Sequence, residues 1–343
     1  MDSLTQIVLG ASVGEVVLGK KVGNKAVFYG AIAGTIPDLD VLSRYFVDTV
    51  TATEWHRGFS HSILFSLLFA PVFGWIISKI ELKSGVSWQE WSKLMFWGLF
   101  THPVLDSFTT WGTQLFWPFD LRLAFQNIFV IDPLYTFPFL FFLILSMRMH
   151  RLSPERRKYN RIGLMVSSGY LAVTLLLKGI TYIKFTDNLK EQRIAFEQIE
   201  TRPTPFNSIL WTANVDAGKE YLIGEYSLFD TKPIIFRAYP KNHRLLGDLA
   251  NEDKIHRLIK IAEGWYTISR KEQSLLFNDL RFGLISLNPI DPKFAFSYKL
   301  LKINNEVIVE ETPKFKEDAQ NVLIQLWARI WGNLSQIPDF FKV

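Results

Sequence analysis

Up to about residue 182 the chain is a succession of long apolar runs, and this feature narrows the available folds more than any other. About 20 apolar residues cross a bilayer as a helix. Lipid offers no partner to backbone N–H and C=O groups, so spanning segments are helices or closed barrels. Six helical segments fit the pattern, at about residues 3–19, 26–46, 61–80, 90–107, 126–147 and 161–182. The third, fifth and sixth meet the length criterion well. The first two are Gly-rich and interrupted by Glu15 or by Pro37-Asp38, which makes them short, tilted or re-entrant. The fourth carries His102, Pro103 and Asp106, so its end must line protein or water. Past residue 184 the pattern changes. Glu220–Phe229 and Ile234–Tyr239 read as strands between turn residues, whereas Leu245–Ile261 and Ala319–Trp331 have helical periodicity. The expected fold class is an α-helical multi-pass membrane domain of about five to six helices, residues 1–183, followed by a soluble mixed α+β domain, residues 184–343.

Basic residues supply an orientation. The connection from Arg148 to Arg161 holds six Lys/Arg against one acid, Glu155, the strongest cytoplasmic-loop signal in the chain. Lys20, Lys21 and Lys25, and Lys79 and Lys83 with Lys93, mark two more such connections. Threading them puts Pro37–Asp40, His61 and His102–Asp106 on the outer side of the cytoplasmic membrane, and residues 185–343 outside it. The opening MDSLTQIVLGASVGEVVLG has no basic residue before its apolar stretch, so it is expected to be retained rather than cleaved. The net charge of +5 suggests nucleic acid at first sight. Its basic residues cluster beside apolar segments, however, which makes it a topology signal and removes nucleic acid as a partner. With no cysteine, disulfides and thiolate metal sites are excluded, and a zinc site would need His and carboxylate ligands.

Three of the six histidines fall in two short motifs, His56-Arg57-Gly58-Phe59-Ser60-His61-Ser62 and His102-Pro103-Val104-Leu105-Asp106. The i,i+4 spacing puts His102 and Asp106 on one helix face. His56 and His61 converge only if His56 sits in the preceding loop, a turn Gly58 would permit, with Ser60 as cap of the next helix. Pro37-Asp38-Leu39-Asp40 adds two carboxylates on the same side. Ionisable groups inside membrane segments are costly and mark functional sites. The expected metal ligands are His56, His61, His102, Asp106, Asp38 and Asp40. They suit a divalent metal, zinc first, with manganese or a two-metal centre as variants. Such a metal lowers the pKa of bound water towards about 7. Asp106 or Asp40 would then handle protons, and Arg57 would neutralise an anionic substrate, so the expected catalytic residues are Asp106, Arg57 and Asp40. Each feature has a plainer reading: a packed histidine, or a helix cap and turn for Asp38 and Asp40. Asp132-Pro133 is an ordinary helix start. His150 lies in the basic loop, and His243 and His256 have no clustered partner. The chain lacks HExxH, GxSxG, Walker A and GxGxxG.

MDSLTQIVLGA, PDLD, HRGFSHS, HPVLD, TTWGTQLFWPF and FVIDPLYT, in this order over roughly residues 1–180, resemble a family of bacterial inner-membrane proteins described as membrane-bound metal-dependent hydrolases. The resemblance implies a metal-site core of His56, His61, His102 and Asp106, with Asp38 and Asp40 as companions and Thr113, Gln114 and Asp132 bordering it. Many relatives have His where this chain has Gln6, which implies a weaker or different metal site here, or one in which Asp2 substitutes. The leading expectation is a hydrolase of an ester or phosphoester, lipid or lipid-linked, at the outer face of the cytoplasmic membrane. The rival is a membrane transport or metal-binding scaffold protein without hydrolytic activity. A third reading makes residues 185–343 a binding module on a membrane anchor.

Overall fold

The computed structural model describes residues 1–271, 274–286, 292–303, 306–312 and 319–332. They form two compact units. The first comprises Met1–Tyr45, Trp55–Leu177 and Pro205–Ser208, and the second comprises Phe46–Glu54, Lys178–Thr204 and Ile209–Val343. The boundary expected at residues 183 and 184 falls inside one uninterrupted helix, and a short N-terminal segment joins the second unit.

The first unit is helical. Asp2 caps α1 (Ser3–Val22) by accepting from Thr5 N at 3.1 Å. α2 (Asn24–Ala33) returns along it and gives way to a 3-10 stretch, Ile36–Tyr45, where one helix through residue 46 was expected. α1 and α2 touch backbone to backbone. A Cβ on Gly10 or Gly14 would collide with the carbonyls of Gly30 or Ala26, and one on Gly34 with the carbonyl of Gln6. Small residues permit this approach in membrane helix pairs. After α3 (Thr49–Trp55), a 3-10 turn, Phe59–His61, leads into α4 (Ile63–Ile80). The cap of α4 is Ser62, accepting from Phe65 N at 3.0 Å, not the expected Ser60. α5 (Trp88–Asp106) starts with a capping box, Ser87 with Glu90. α6 (Pro133–Arg148) starts at Pro133 rather than 126, because Asp132 caps it and Pro occupies the first turn. α7 (Pro154–Glu191) has 38 residues and runs about 57 Å at 1.5 Å per residue.

Among the described residues α4 and α7 are the two helices long and apolar enough to cross a membrane, and α6 is a shorter apolar helix. Large apolar side chains point outwards from both: Leu67, Leu68, Val72 and Trp75 on α4, Met165 and Leu176 on α7. Polar ones turn inwards. Glu15 of α1 and Arg156 of α7 form a buried two-pronged ion pair at 2.7 and 2.6 Å, beside a hydrogen bond from Asn160 Nδ2 to the Ser12 carbonyl. Trp91, Leu94, Met95 and Leu99 of α5 pack against Leu18, Ala26 and Tyr29 to close the core.

The second unit holds two four-stranded antiparallel sheets. One runs β1 (Gln198–Pro203), β2 (Leu210–Asp216), β3 (Glu220–Ser227) and β4 (Phe236–Pro240) in spatial order. The helix expected at 245–261 divides at Gly247, whose φ of 50° breaks it, into a 3-10 stretch and α8 (Asp253–Ile261). The second sheet is β5 (Tyr266–Lys271), β6 (Ser274–Ser286), β7 (Lys293–Ile303) and β8 (Glu306–Glu311), again in order. Val50 of α3 and Ile255 and Leu258 of α8 pack with Ile268, Phe277 and Leu300 of that sheet. α9 (Ala319–Ile330) follows.

Candidate metal centre

The 3-10 stretch after α2, the 3-10 turn before α4 and the last turn of α5 meet at one point of the helical unit. Each delivers a ligand-type side chain. Asp38 comes from the first, His61 from the second, and His102 and Asp106 from the third, and their four nearest ligand atoms all lie within 4.8 Å of one another. His61, His102 and Asp106 are fully enclosed, while the Asp38 side chain is 23% exposed.

Five of the six distances among these atoms are close to the edges of a tetrahedral metal shell, and all four atoms lie within 4.8 Å of one another. His61 Nε2 and His102 Nε2 are 3.1 Å apart. Asp38 Oδ1 is 3.4 Å from each. Asp106 Oδ2 is 3.5 Å from His61 Nε2 and 3.6 Å from His102 Nε2. A tetrahedron with metal–ligand bonds of about 2.0–2.1 Å has edges of about 3.3–3.4 Å. Asp106 Oδ2, fully buried, faces the Arg57 guanidinium at 3.0 Å but accepts no well-formed hydrogen bond. Buried polar atoms short of hydrogen bonds are rare, and a metal cation among these four atoms would add a partner.

Hydrogen bonds behind the ligands set which nitrogen faces inwards. His102 Nδ1 donates to the Gly34 carbonyl at 2.6 Å; a carbonyl only accepts, so the proton sits on Nδ1 and Nε2 keeps its lone pair. The α1–α2 backbone contact positions that carbonyl. His61 Nδ1 lies 3.0 Å from Ser60 Oγ and 3.3 Å from Asp40 Oδ2, the carboxylate–imidazole pairing that orients metal-binding histidines. Asp40 also accepts from Arg57 N at 2.8 Å, Ser60 Oγ at 3.2 Å and His56 Nδ1 at 3.0 Å.

Of the six ligands expected from sequence, the structure thus gathers four and puts His56 and Asp40 one layer behind. Burial works to raise the pKa of Asp40, but hydrogen bonds with His56 and His61 outweigh it and keep the carboxyl well below the usual range. Asp38 follows the same pattern through His102 and His61. Burial holds His56 towards its neutral form, against the pull of Asp40.

Arg57 is buried with a φ of 58°, so the left-handed residue of this turn is Arg57 and not Gly58. Its Nε is 3.0 Å from Asp106 Oδ2, and its Nη1 donates to Thr109 Oγ1 at 2.8 Å. Gln6, fully buried on α1, donates to Asp106 Oδ1 at 2.8 Å and to the His102 carbonyl at 3.3 Å. The Met1 amino group also meets Asp106. Thr113 Oγ1 bonds the Pro103 carbonyl, and Gln114 N bonds the Arg57 carbonyl at 3.0 Å. Asp132 caps α6 and accepts from Tyr170. His150, His243 and His256 join no metal-type group among the described residues. Thr109 and the Gly34 carbonyl have no signature in the sequence; Trp111, whose indole lies 5.6 Å from His56, could have been found only as part of a motif.

Two helices long and apolar enough to cross a membrane, in a chain that also buries a His/Asp cluster, fit a helical membrane protein with a candidate metal centre. Residues 1–181, just over half the chain, match the YdjM inner membrane protein family, and the chain belongs to that family. It is 35% identical over 101 residues to inner membrane protein YbcI of Escherichia coli (strain K12), covering 29% of this chain and 57% of the relative. The chain therefore spans little more than half the length of that curated relative. No solved structure matches it.

Proposed function

We propose that this chain is a membrane-bound metal-dependent hydrolase acting on an ester or phosphoester, lipid or lipid-linked, at the outer face of the cytoplasmic membrane. The observation that carries the reading is the convergence of ligand atoms of Asp38, His61, His102 and Asp106 within 4.8 Å of one another. A divalent metal held there, with zinc favoured by the His/Asp donors, would supply Lewis acidity and an activated water. The protein's own residues prepare the site. Gln6 fixes Oδ1 of Asp106 and leaves Oδ2 directed at the cluster. Asp40 holds the His61 proton on Nδ1, the Gly34 carbonyl does so for His102, and Arg57 adds positive charge beside Asp106 that favours an anionic group. Asp38, the one partly exposed member, is the corner at which substrate would enter.

Four protein donors around a metal also describe a closed structural site. The complete enclosure of three of the four favours this second reading, a metal-binding scaffold without turnover. In both readings the helical unit is multi-pass, with the basic connection 148–161 cytoplasmic and the second unit extracytoplasmic. The deciding experiment compares metal content and hydrolysis of phosphoester and ester lipids by the detergent-purified protein and its Asp38→Asn variant. The hydrolase reading expects turnover in the wild type, and in the variant a loss of turnover larger than the loss of metal. Stoichiometric metal with no turnover in the wild type leaves the scaffold.

A further inference from the structure

α9 carries its side chains the wrong way round for a helix in water. Arg329 and Ile330 are both 5% exposed, with Arg329 turned into the unit and donating to Asp230 Oδ1 at 2.8 Å and Oδ2 at 2.5 Å. Four large apolar side chains point out: Leu323, Ile324 and Trp327, and Trp331 in the turn that follows, are each at least half exposed. Residues 323, 327 and 331 follow the i,i+4 row of one helix face. Trp327 and Trp331 meet edge to face at 5.7 Å, and Phe229 stacks on Trp331 at 5.3 Å. A soluble amphipathic helix buries the apolar face and wets the charged one. Here the medium outside must be less polar than water.

The second unit itself indicates that medium. α7, one of the two helices able to cross a membrane, enters this unit with Ile180 and Ile183 still exposed. Two residues on, Phe185 is fully buried against Tyr226 of β3 at 6.1 Å. The next residue of that strand, Ser227, donates its Oγ to the Ile330 carbonyl of α9 at 2.5 Å. α9 is thus fastened to the strand end where α7 leaves its exposed apolar run. Tryptophan is enriched at that level of a bilayer, with the ring among acyl chains and the N–H among headgroups.

We infer that the Leu323–Trp331 face is a lipid-contact surface that lies in the headgroup zone of the bilayer. The inference holds whether or not the metal centre hydrolyses anything. The chain has no cysteine, so single labels are unambiguous. Full-length Trp327→Cys and Leu323→Cys variants, each bearing a fluorescent label, are placed one copy per nanodisc of phosphatidylethanolamine and phosphatidylglycerol. Lys219→Cys, at an exposed turn, is the water-facing control. The expected result is several-fold stronger quenching of the 323 and 327 labels by lipids bearing a nitroxide near the headgroup, with several-fold weaker quenching by aqueous iodide, than at 219. Equal iodide quenching at all three positions would overturn the inference. So would lipid-insensitive labels that become shielded only when two copies share a disc, which would make a second copy the occupant.

Discussion

Both units bury clusters of charged and polar side chains, but the two clusters are built on opposite rules. In the second unit Arg281 is bracketed by Asp279 at 2.8 Å and Glu263 at 3.0 Å, and Arg202 donates to Asn214 Oδ1 at 3.0 Å and the Leu280 carbonyl at 2.8 Å. Donors face acceptors across the group, and only Arg202 Nη1 among the buried side-chain atoms of these two arginines lacks a hydrogen bond. In the helical unit two imidazole nitrogens and two carboxylate oxygens face one another at 3.1–3.6 Å, with further partners behind His61, His102 and Asp106. Four ligand-type atoms crowd one point. The Glu15–Arg156 pair nearby follows the first rule, so burial in lipid-type surroundings does not by itself produce the second. The comparison teaches that paired donors and acceptors mark a structural cluster, whereas ligand-type atoms crowding one point mark a candidate place for a cation.

The sharpest way to break the comparison is to remove ligands. A His61→Ala, Asp106→Ala double variant should lose all bound metal and all turnover, as read by elemental analysis of purified protein; retained stoichiometric metal would end the assignment. Asp279→Ala should act in the other direction, costing about 3–5 kcal/mol of stability by leaving Arg281 buried and short of a partner. Denaturant unfolding reads that loss, and metal content should not move. Gln6→Ala should weaken metal binding about 10- to 100-fold without abolishing it, the usual effect of losing a partner behind a ligand. Chelator competition measures this, and an unchanged affinity would show that Gln6 merely packs. Asp40→Asn belongs to the same range by the same assay; complete loss of metal there would return Asp40 to the ligand set. The smallest effect is expected for Ser62→Ala, about 1 kcal/mol from a lost helix cap, with metal affinity intact.

The residues of the cluster were legible in the sequence, but their layering was not. His102 and Asp106 read directly as one helix face because α-helical spacing leaves little choice. Asp38 and Asp40 are harder. They sit two apart on a 3-10 stretch, so their side chains diverge by about 240° at three residues per turn, and PDLD alone cannot say which faces the cluster. The turn at HRGFSHS draws its positive φ from Arg57, a choice that the ion pair with Asp106 explains and that residue preferences oppose. The apolar runs announced α4 and α7, while Asp132-Pro133 set the start of α6 later than hydropathy alone suggests. Among the strands, β3 and β4 showed. β1, with Gln198, Glu200 and Arg202, carries too many polar residues to be recognised before its pairing with β2 is known.

The two histidines of the cluster differ in how a mutation can reach them. His61 is oriented by Ser60 and Asp40, side chains that a single codon change replaces. His102 is oriented by a main-chain oxygen that every residue at position 34 would retain. Its tautomer is therefore out of reach of direct substitution and responds only to a shift of the α1–α2 backbones. Random mutagenesis should accordingly recover graded variants through His61, where ligand basicity can be tuned in steps. Through His102 it should recover variants that are either intact or lost.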